Sequence, residues 1–350
     1  MGRGAVVIVA GAGALGLATA LALADAGCQV SVCDPARTGQ ASAVAAGMLA
    51  PVFEAALDPE TAGDLDLLLA ARNLWPALAA RTGIVLDRSG TAAAGSEAWL
   101  ARVRAGLGRL GQRGADLPRA MLEGLAPGIA PGLEALLVRE DWRLEPGAAL
   151  AALRGAAQEA GVTFRTAAVR ERGEADWLVA ATGAGTGLAE AVPELADLTP
   201  IKGQILRFGD RSGLSVSLRG EGAYAVPASG GLAVGATMEP GRRDAAVDPI
   251  ALAPLVEAAG RLFPKLAEAT FGVSAGVRAA TPDALPMAGL SRTPDVILAT
   301  GARRNGWLLA PLVAKVVTAC VMGRDAGPYA ARLDPQRFGA HGFGAGGAGR

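Results

Sequence analysis

The opening of the chain constrains its fold more than any other stretch. Ala5 to Val9 form an apolar run, and Gly11-Ala12-Gly13-Ala14-Leu15-Gly16 follow at once. A helical pattern of small and aliphatic residues continues to Ala26, Gly27 breaks it, and a second apolar strand, Val30 to Cys33, ends on Asp34. The order is strand, glycine turn, helix, strand, acid. The first glycine, Gly11, permits the tight turn, Gly13 lets backbone approach a pyrophosphate, and Gly16 lets the helix pack on the sheet. Phosphates then sit at a helix N-terminus, where free N–H groups and the macrodipole favour anions. Asp34 stands where an acid accepts hydrogen bonds from an adenosine ribose. The pattern predicts a dinucleotide site and leaves NAD and FAD both open. The uncharged run Gly4 to Ala24 behind Arg3 could also be read as a membrane anchor. Glycines at all three motif positions, and direct passage into a second strand without a cleavage region, argue against that.

At 350 residues the chain is long enough for a large core and two domains. With 33 basic and 33 acidic residues and no basic block interleaved with aromatics, nothing points to nucleic acid. Cys28, Cys33 and Cys320 are odd in number, lack a CxxC spacing and stand in apolar contexts. They read as small core residues of a protein in a reducing cytoplasm, not as a disulfide framework or a metal site. The single histidine, His341, lies in a glycine-rich tail. A serine triad, a histidine-ligated metal and a core histidine base therefore have no candidate unless the tail folds back, so the expected chemistry is carried by a cofactor.

Leu65 to Leu86, Trp99 to Leu110 and Pro146 to Gly161 are helical in period, the last with proline near its start. Gly90 to Gly95 reads as a turn or strand, Gly111 to Pro131 as turn-rich, Val162 to Val169 as a strand. Glu174 to Gly183 reads as a buried strand ending in a Thr-Gly turn. Ile201 to Phe208, Tyr224 to Val226 and Leu232 to Val234 are short strands between Gly, Ser and Pro signals, the mark of an antiparallel sheet. A helix over Pro249 to Phe263, a strand Asp295 to Thr300, a second Thr-Gly and a helix from Asn305 to Met322 close the pattern. Nucleotide-type elements thus recur along the chain, which predicts two interwoven domains of mixed α/β class.

Several blocks carry a resemblance over nearly the whole chain. They are the N-terminal fingerprint with Asp34, Ala41 to Pro51, Glu140-Asp141-Trp142-Arg143-Leu144-Glu145-Pro146 and Lys202-Gly203-Gln204. Tyr224 to Pro227, Val234 to Glu239, Gly276 to Asp283 and Ala299 to Pro311 complete them. In these blocks the chain resembles the amino-acid oxidase branch of the FAD-dependent oxidoreductases, and most of all the glycine oxidases of thiamine biosynthesis. The resemblance implies non-covalent FAD in a Rossmann-like FAD-binding domain, interwoven with a substrate domain built on an antiparallel sheet. The expected boundaries are 1–75, 140–195 and 272–335 for the first, 76–139 and 196–271 for the second, and 336–350 for a flexible tail. It also implies a cofactor-binding set of Gly11, Gly13, Ala14, Leu15, Gly16, Asp34, Pro35, Ala41, Ser42, Ala46, Gly47, Met48, Val169, Thr182, Gly183, Arg303, Arg304, Asn305, Gly306, Trp307 and Leu308. Related enzymes that bind flavin covalently use a cysteine near the Thr-Pro-Asp block, and no cysteine occurs between Cys33 and Cys320. The chain departs from the family pattern at Ala302 and Arg303, where His or an aromatic residue is common, at Ala284, often glycine, and at Met287, often aromatic.

Arg278 is the only charge between Thr270 and Pro282, and a guanidinium in apolar surroundings needs a carboxylate. It either pairs internally, with Asp283 for example, or forks onto a substrate carboxylate, the role the family match implies. Tyr224 is either ordinary sheet packing or the hydroxyl that shares that carboxylate. Arg304 is a solvated surface charge or a second arginine at the pocket entrance, and Met238 is core or pocket wall. A helix starting at Asn305-Gly306 and aimed at a flavin carbonyl edge would stabilise negative charge on the reduced ring. The expected reaction is oxidation of glycine or another small amine to its imino acid, with orientation supplying much of the rate and no general base required. Dioxygen is the expected acceptor, giving hydrogen peroxide, and thiazole synthase is an expected partner. Self-association is left open. A quinone-linked D-amino-acid or proline dehydrogenase and a non-catalytic flavin-binding subunit are the competing readings. A tRNA-modifying relative fits the neutral charge balance less well.

Overall fold

The computed structural model describes residues 4–209 and 213–339, organised around two main sheets. The first has the strand order Met287–Leu290, Val296–Thr300, Trp177–Ala180, Val6–Ala10, Gln29–Cys33, Thr163–Arg165. All neighbours run parallel except the edge strand Met287–Leu290. Val6–Ala10 is central, and its apolar residues are covered on both faces, as a parallel sheet requires. Helix Ala14–Asp25 follows directly and buries Leu17, Leu21 and Leu23 against helix Gly306–Val321, which contributes Leu308, Leu312 and Val313 to the same core. The close packing predicted for the fingerprint is present. A Cβ on Gly11, whose φ is +117°, would lie 2.3 Å from the Ala181 carbonyl oxygen, and one on Gly16 would lie 2.0 Å from that of Gly11.

The second sheet has nine strands among the described residues and is antiparallel except where Ser217–Gly220 runs parallel to Thr91–Gly95. Its long strand Thr199–Phe208 carries Gly231–Gly235 and Glu239–Pro240 on one side and Gly272–Ala280 on the other. The strand Gly272–Ala280 pairs with Thr199–Phe208 over nine residues. The expected boundary at 272 would have put this strand with the FAD-binding part. Its hydrogen bonds make it a strand of the second sheet, so the chain's last crossing from the second sheet to the first comes after Ala280. The mixed α/β class and the two sheets, one parallel and one largely antiparallel, are as the sequence predicts.

Other details depart from it. The turn-rich stretch Gly111 to Pro131 contains helix Arg119–Leu125, which buries Leu122. The strand expected over Val162 to Val169 is only Thr163–Arg165. The tail expected from residue 336 begins inside a helical turn, Pro335–Phe338, where Arg337 pairs with Asp283 at 2.8 Å. Residues 340–350, with His341, lie outside the described residues. No helix of the described residues is long and apolar enough to cross a membrane.

Helix Pro51–Leu57, not foreseen from periodicity, runs along the junction of the two bodies. Its N-terminal N–H groups, from Val52 and Phe53, donate to the fully buried Asp141 carboxylate at 2.8 and 3.1 Å. This long-range cap explains the Glu-Asp-Trp-Arg block. Burial pushes the Asp141 carboxyl up to about 7, against the two N–H donors and Arg219, which favour the charge. Because the folded pKa exceeds the unfolded one, the native state binds the extra proton, and stability falls as pH rises from about 4 to about 7. The slope of this loss is at most about 1.4 kcal/mol per pH unit. Asp141→Asn has no such proton to lose. Denaturant unfolding of both proteins from pH 4 to 8 should show the variant gaining on wild type across that window, and a constant difference would contradict the assignment.

Candidate active site

Two cavities meet where the two bodies join. The larger, about 580 Å³, runs along the C-terminal ends of the parallel strands. Its walls include Gly11, Gly13, Ala14, Leu15, Asp34, Pro35, Ala41, Ser42, Val169, Thr182, Gly183, Arg303 and Gly306, all expected cofactor-binding residues. The smaller, about 280 Å³, is lined by Ala41, Ser42, Ala46, Gly47, Met48, Tyr224, Met238, Arg278, Arg303, Arg304, Asn305, Gly306 and Trp307, among others. Ala41, Ser42, Arg278, Arg303 and Gly306 border both cavities. The expected cofactor set therefore divides, with Ala46, Gly47, Met48, Arg304, Asn305 and Trp307 facing the smaller cavity alone. Gly16 and Leu308 face neither. Gly16 packs under the turn, and Leu308 is core, its carbonyl accepting the Trp75 indole N–H at 3.2 Å.

The larger cavity fits a dinucleotide. Gly13 caps helix Ala14–Asp25 with no side-chain hydrogen bond, and the first turn carries no acid, so the positive helix end faces the cavity. Asp34 is held in place by its own loop. One oxygen accepts the Ala12 N–H at 2.8 Å, and the other accepts the Ala36 N–H at 2.7 Å and the Gln40 amide at 3.1 Å. Asp34 thus shapes the glycine turn as well as edging the cavity. Helix Gly306–Val321 also starts without an acidic residue in its first turn, and Gly306 lies at the junction of the two cavities. Trp307 fixes this start by donating its indole N–H to the Ser42 carbonyl at 3.0 Å.

In the smaller cavity Arg278 stands apart from the other cations. Among the described residues no carboxylate lies within ion-pairing distance of it. Its guanidinium has only the Thr237 carbonyl at 3.4 Å and the Met238 sulfur at 3.3 Å. Asp283, the internal partner considered from sequence, pairs with Arg337 and caps its own turn. Burial pushes the Arg278 pKa down, and nearby Arg304 and Arg303 push the same way against Tyr224. The site would therefore gain from an anion. Two glycines make room for the pair. A Cβ on Gly203 would lie 2.3 Å from the Arg278 nitrogens, and one on Gly235 would lie 2.3 Å from the Tyr224 hydroxyl. That is the physical content of the Lys-Gly-Gln and Val-Gly-Ala-Thr motifs. Burial raises the Tyr224 pKa despite the surrounding arginines, so the phenol stays a neutral donor.

Arg304 is exposed on one side and ion-paired on the other. It donates to Glu54 at 2.6 and 3.2 Å and lies 3.4 Å from Asp58. Arg219 binds the other Glu54 oxygen, and Arg303 pairs with Asp58 and, at 3.1 Å, with Glu60. Burial would raise Glu54, but the Arg304 and Arg219 guanidiniums outweigh it and hold the carboxyl at about 2. Sequence reasoning missed Glu54, Asp58 and Arg219. Glu54 and Arg219 are 165 residues apart, and neither stands in a motif that announces the other. Met238 lines the cavity and is partly exposed, whereas Met287 is buried in the core away from both cavities. Ala284, at a position where glycine is common, has φ +61°, and Arg303 has φ +48°.

The comparisons with known proteins agree with this geometry. The family model described as FAD dependent oxidoreductase (DAO) matches residues 6–320. A protein of Trichormus variabilis named Bifunctional protein ThiO/ThiG is 28% identical over 95% of this chain and 55% of its own length. The chain spans between about a quarter and just over half of the first curated relatives it matches, 26 to 55%. A Pseudomonas putida protein named glycine oxidase is 28% identical over 93% of this chain and 97% of its own. The crystal structure of glycine oxidase from Geobacillus kaustophilus superposes with a TM-score of 0.78 at 25% identity, covering 95% of this chain and 99% of that one. With the parallel sheet, the glycine fingerprint and the paired cavities already in place, the chain belongs to the FAD-dependent oxidoreductase (DAO) family.

Proposed function

We propose that this protein is a glycine oxidase-like enzyme that oxidises glycine or another small amino acid to the corresponding imino acid. The observation that carries the reading is the unpaired Arg278 guanidinium beside the Tyr224 hydroxyl, seated over Gly203 and Gly235 at the edge of the dinucleotide cavity. The fork of Arg278 and the phenol of Tyr224 would hold one substrate carboxylate, leaving the substrate Cα toward the cavity junction. The larger cavity would hold FAD, with the first turn of helix Ala14–Asp25 at the pyrophosphate and Asp34 at the ribose. FAD, when bound, would supply the acceptor for the hydride leaving Cα and the route for its two electrons to dioxygen. The amine nitrogen must be neutral for that hydride to leave. It gives up one N–H proton as the imine forms, and dioxygen takes up two electrons and two protons as hydrogen peroxide. Among the side chains at the cavity junction none is needed as a base. The positive start of helix Gly306–Val321 would favour the negative charge that builds up there.

The imino acid hydrolyses in water, so an enzyme that consumes it at once would gain by association. The resemblance to a protein named ThiO/ThiG supports thiazole synthesis for thiamine as that setting, with thiazole synthase as the proposed partner. The proposed location is the cytoplasm, where free thiols such as those of Cys28, Cys33 and Cys320 stay reduced.

Four outcomes test this reading. The purified protein should be yellow and release FAD on heat or acid treatment. Asp34→Ala should weaken FAD binding by roughly 1–3 kcal/mol, since it removes a charged acceptor and loosens the turn. Titration of apoprotein with FAD, followed by flavin fluorescence, measures this, and an unchanged dissociation constant would relieve Asp34 of the role. Arg278→Ala should keep its FAD and lose about 2–5 kcal/mol in kcat/KM, roughly 30- to 4,000-fold, by peroxide release with glycine, sarcosine, D-alanine and D-proline. Arg278→Lys should recover only part, because a point charge cannot make the fork. Equal losses for an amine without a carboxylate would point instead to a structural arginine. Gly203→Ala should mimic the loss by displacing Arg278, raising KM more than it lowers kcat. A variant with wild-type KM would show that the guanidinium need not lie over that glycine.

A further inference from the structure

The reading above uses one of the four guanidiniums that line the smaller cavity. Arg219, Arg303 and Arg304 are the others, and Glu54 is the one carboxylate in that lining. Behind the wall, Asp58 and Glu60 take Arg303, and Asp58 also approaches Arg304. Three acids thus balance three arginines, and among the described residues of the lining Arg278 alone stays uncompensated. Glu54 is the hub of this arrangement. Only 5% exposed, it gives one oxygen to Arg219 and the other to Arg304. Its helix, Pro51–Leu57, is pinned from behind by Asp141.

Resting on the carboxylate-clamp reading of Arg278, we infer that Glu54 fixes the charge of the substrate. By occupying Arg219 and Arg304 it leaves the pocket a single free cation, so the site takes amines with one carboxylate and rejects those with two. A second carboxylate entering the cavity finds Arg304 already paired and meets the Glu54 charge at short range, where water screens little. Removing the charge of Glu54 frees two guanidiniums that face the same cavity, with Asp58 at 3.4 Å left as the only partial partner of Arg304. A second carboxylate then becomes the missing counter-ion.

The test compares glycine with iminodiacetate, which is glycine bearing a second carboxymethyl arm on nitrogen. Both are assayed on flavin-loaded wild type, Glu54→Gln and the double variant E54Q/R304Q. Acetate and malonate serve as unreactive mono- and dicarboxylate probes, their binding read from the flavin absorption band. In Glu54→Gln the kcat/KM ratio of iminodiacetate to glycine, and the binding ratio of malonate to acetate, should rise by about 10- to 100-fold. Both should fall back toward wild type in the double variant, which removes a freed guanidinium. A structural role for Glu54 would lower all four constants together, and unchanged ratios in a folded variant overturn the inference. If Glu54→Gln does not fold, Arg304→Gln gives the answer from the other side. Glu54 then keeps only Arg219, and malonate should weaken relative to acetate; an unchanged ratio again overturns it. Acetate binding separates the two levels. If Arg278→Ala binds acetate as tightly as wild type, the clamp reading falls and the inference with it. If acetate depends on Arg278 while the malonate ratio ignores Glu54, only the inference falls.

Discussion

A half-buried guanidinium without a counter-ion is the condition on which the rest of this site turns. Arg278 projects from strand Gly272–Ala280, which is bound along its length to Thr199–Phe208. Its charge is partly withdrawn from water, and the strand that carries it is held along its length away from any carboxylate. Gly203 lies beneath it and Gly235 beneath Tyr224, so the second sheet is hollowed where the two side chains lie. Asp283 and Glu54, the acids that could have quenched the charge, are committed to Arg337 and to Arg219 and Arg304. A site arranged this way is short of one anion, which in the proposed function the substrate carboxylate would supply.

The same economy of charge joins the two bodies of the molecule. Glu54 belongs to a short helix at the junction and Asp58 caps its C-terminal end, Arg219 belongs to the second sheet, and Arg303 and Arg304 to the loop that enters helix Gly306–Val321. Their ion pairs hold three separate parts of the chain around one cavity. Buried pairs of this kind contribute less to net stability than to a unique arrangement, because desolvation offsets most of the attraction. Here that arrangement decides which charges the cavity offers. Asp141 extends the network one step further back, by holding the N-terminus of the helix that carries Glu54.

The cofactor side of the site was legible in the sequence to a large degree, and for a local reason. The fingerprint works through residues close together in the chain. Gly11, Gly13 and Gly16 are spaced by the turn and the first helical repeat, and Asp34 follows at the end of the next strand. All but Gly16 of these border the larger cavity. The helices over Leu65–Thr82, Glu97–Arg109, Pro146–Glu159 and Pro249–Leu262 were equally readable, because each carries its own apolar period. Helix Pro51–Leu57 was not. Seven residues are too few for a periodic signal, and its cap comes from Asp141, far along the chain.

By itself the sequence determined the parallel nucleotide-binding core, the interweaving of two bodies, the family resemblance and the presence of one arginine in an apolar strand. It could not say whether Arg278 was paired, since that depends on where Asp283, Arg337 and Glu54 come to rest. It left Arg304 between a solvated surface charge and a second arginine at the pocket entrance, and gave no sign of the grip of Glu54 and Asp58, which lie some 250 residues earlier. It grouped strand Gly272–Ala280 with the nucleotide-binding part, because the strand's partner in the second sheet is chosen by backbone register rather than by side-chain pattern. Periodicity and turn chemistry act over a few residues and are written in the chain. Charge compensation acts through space, and only the tertiary structure decides which acid answers which arginine.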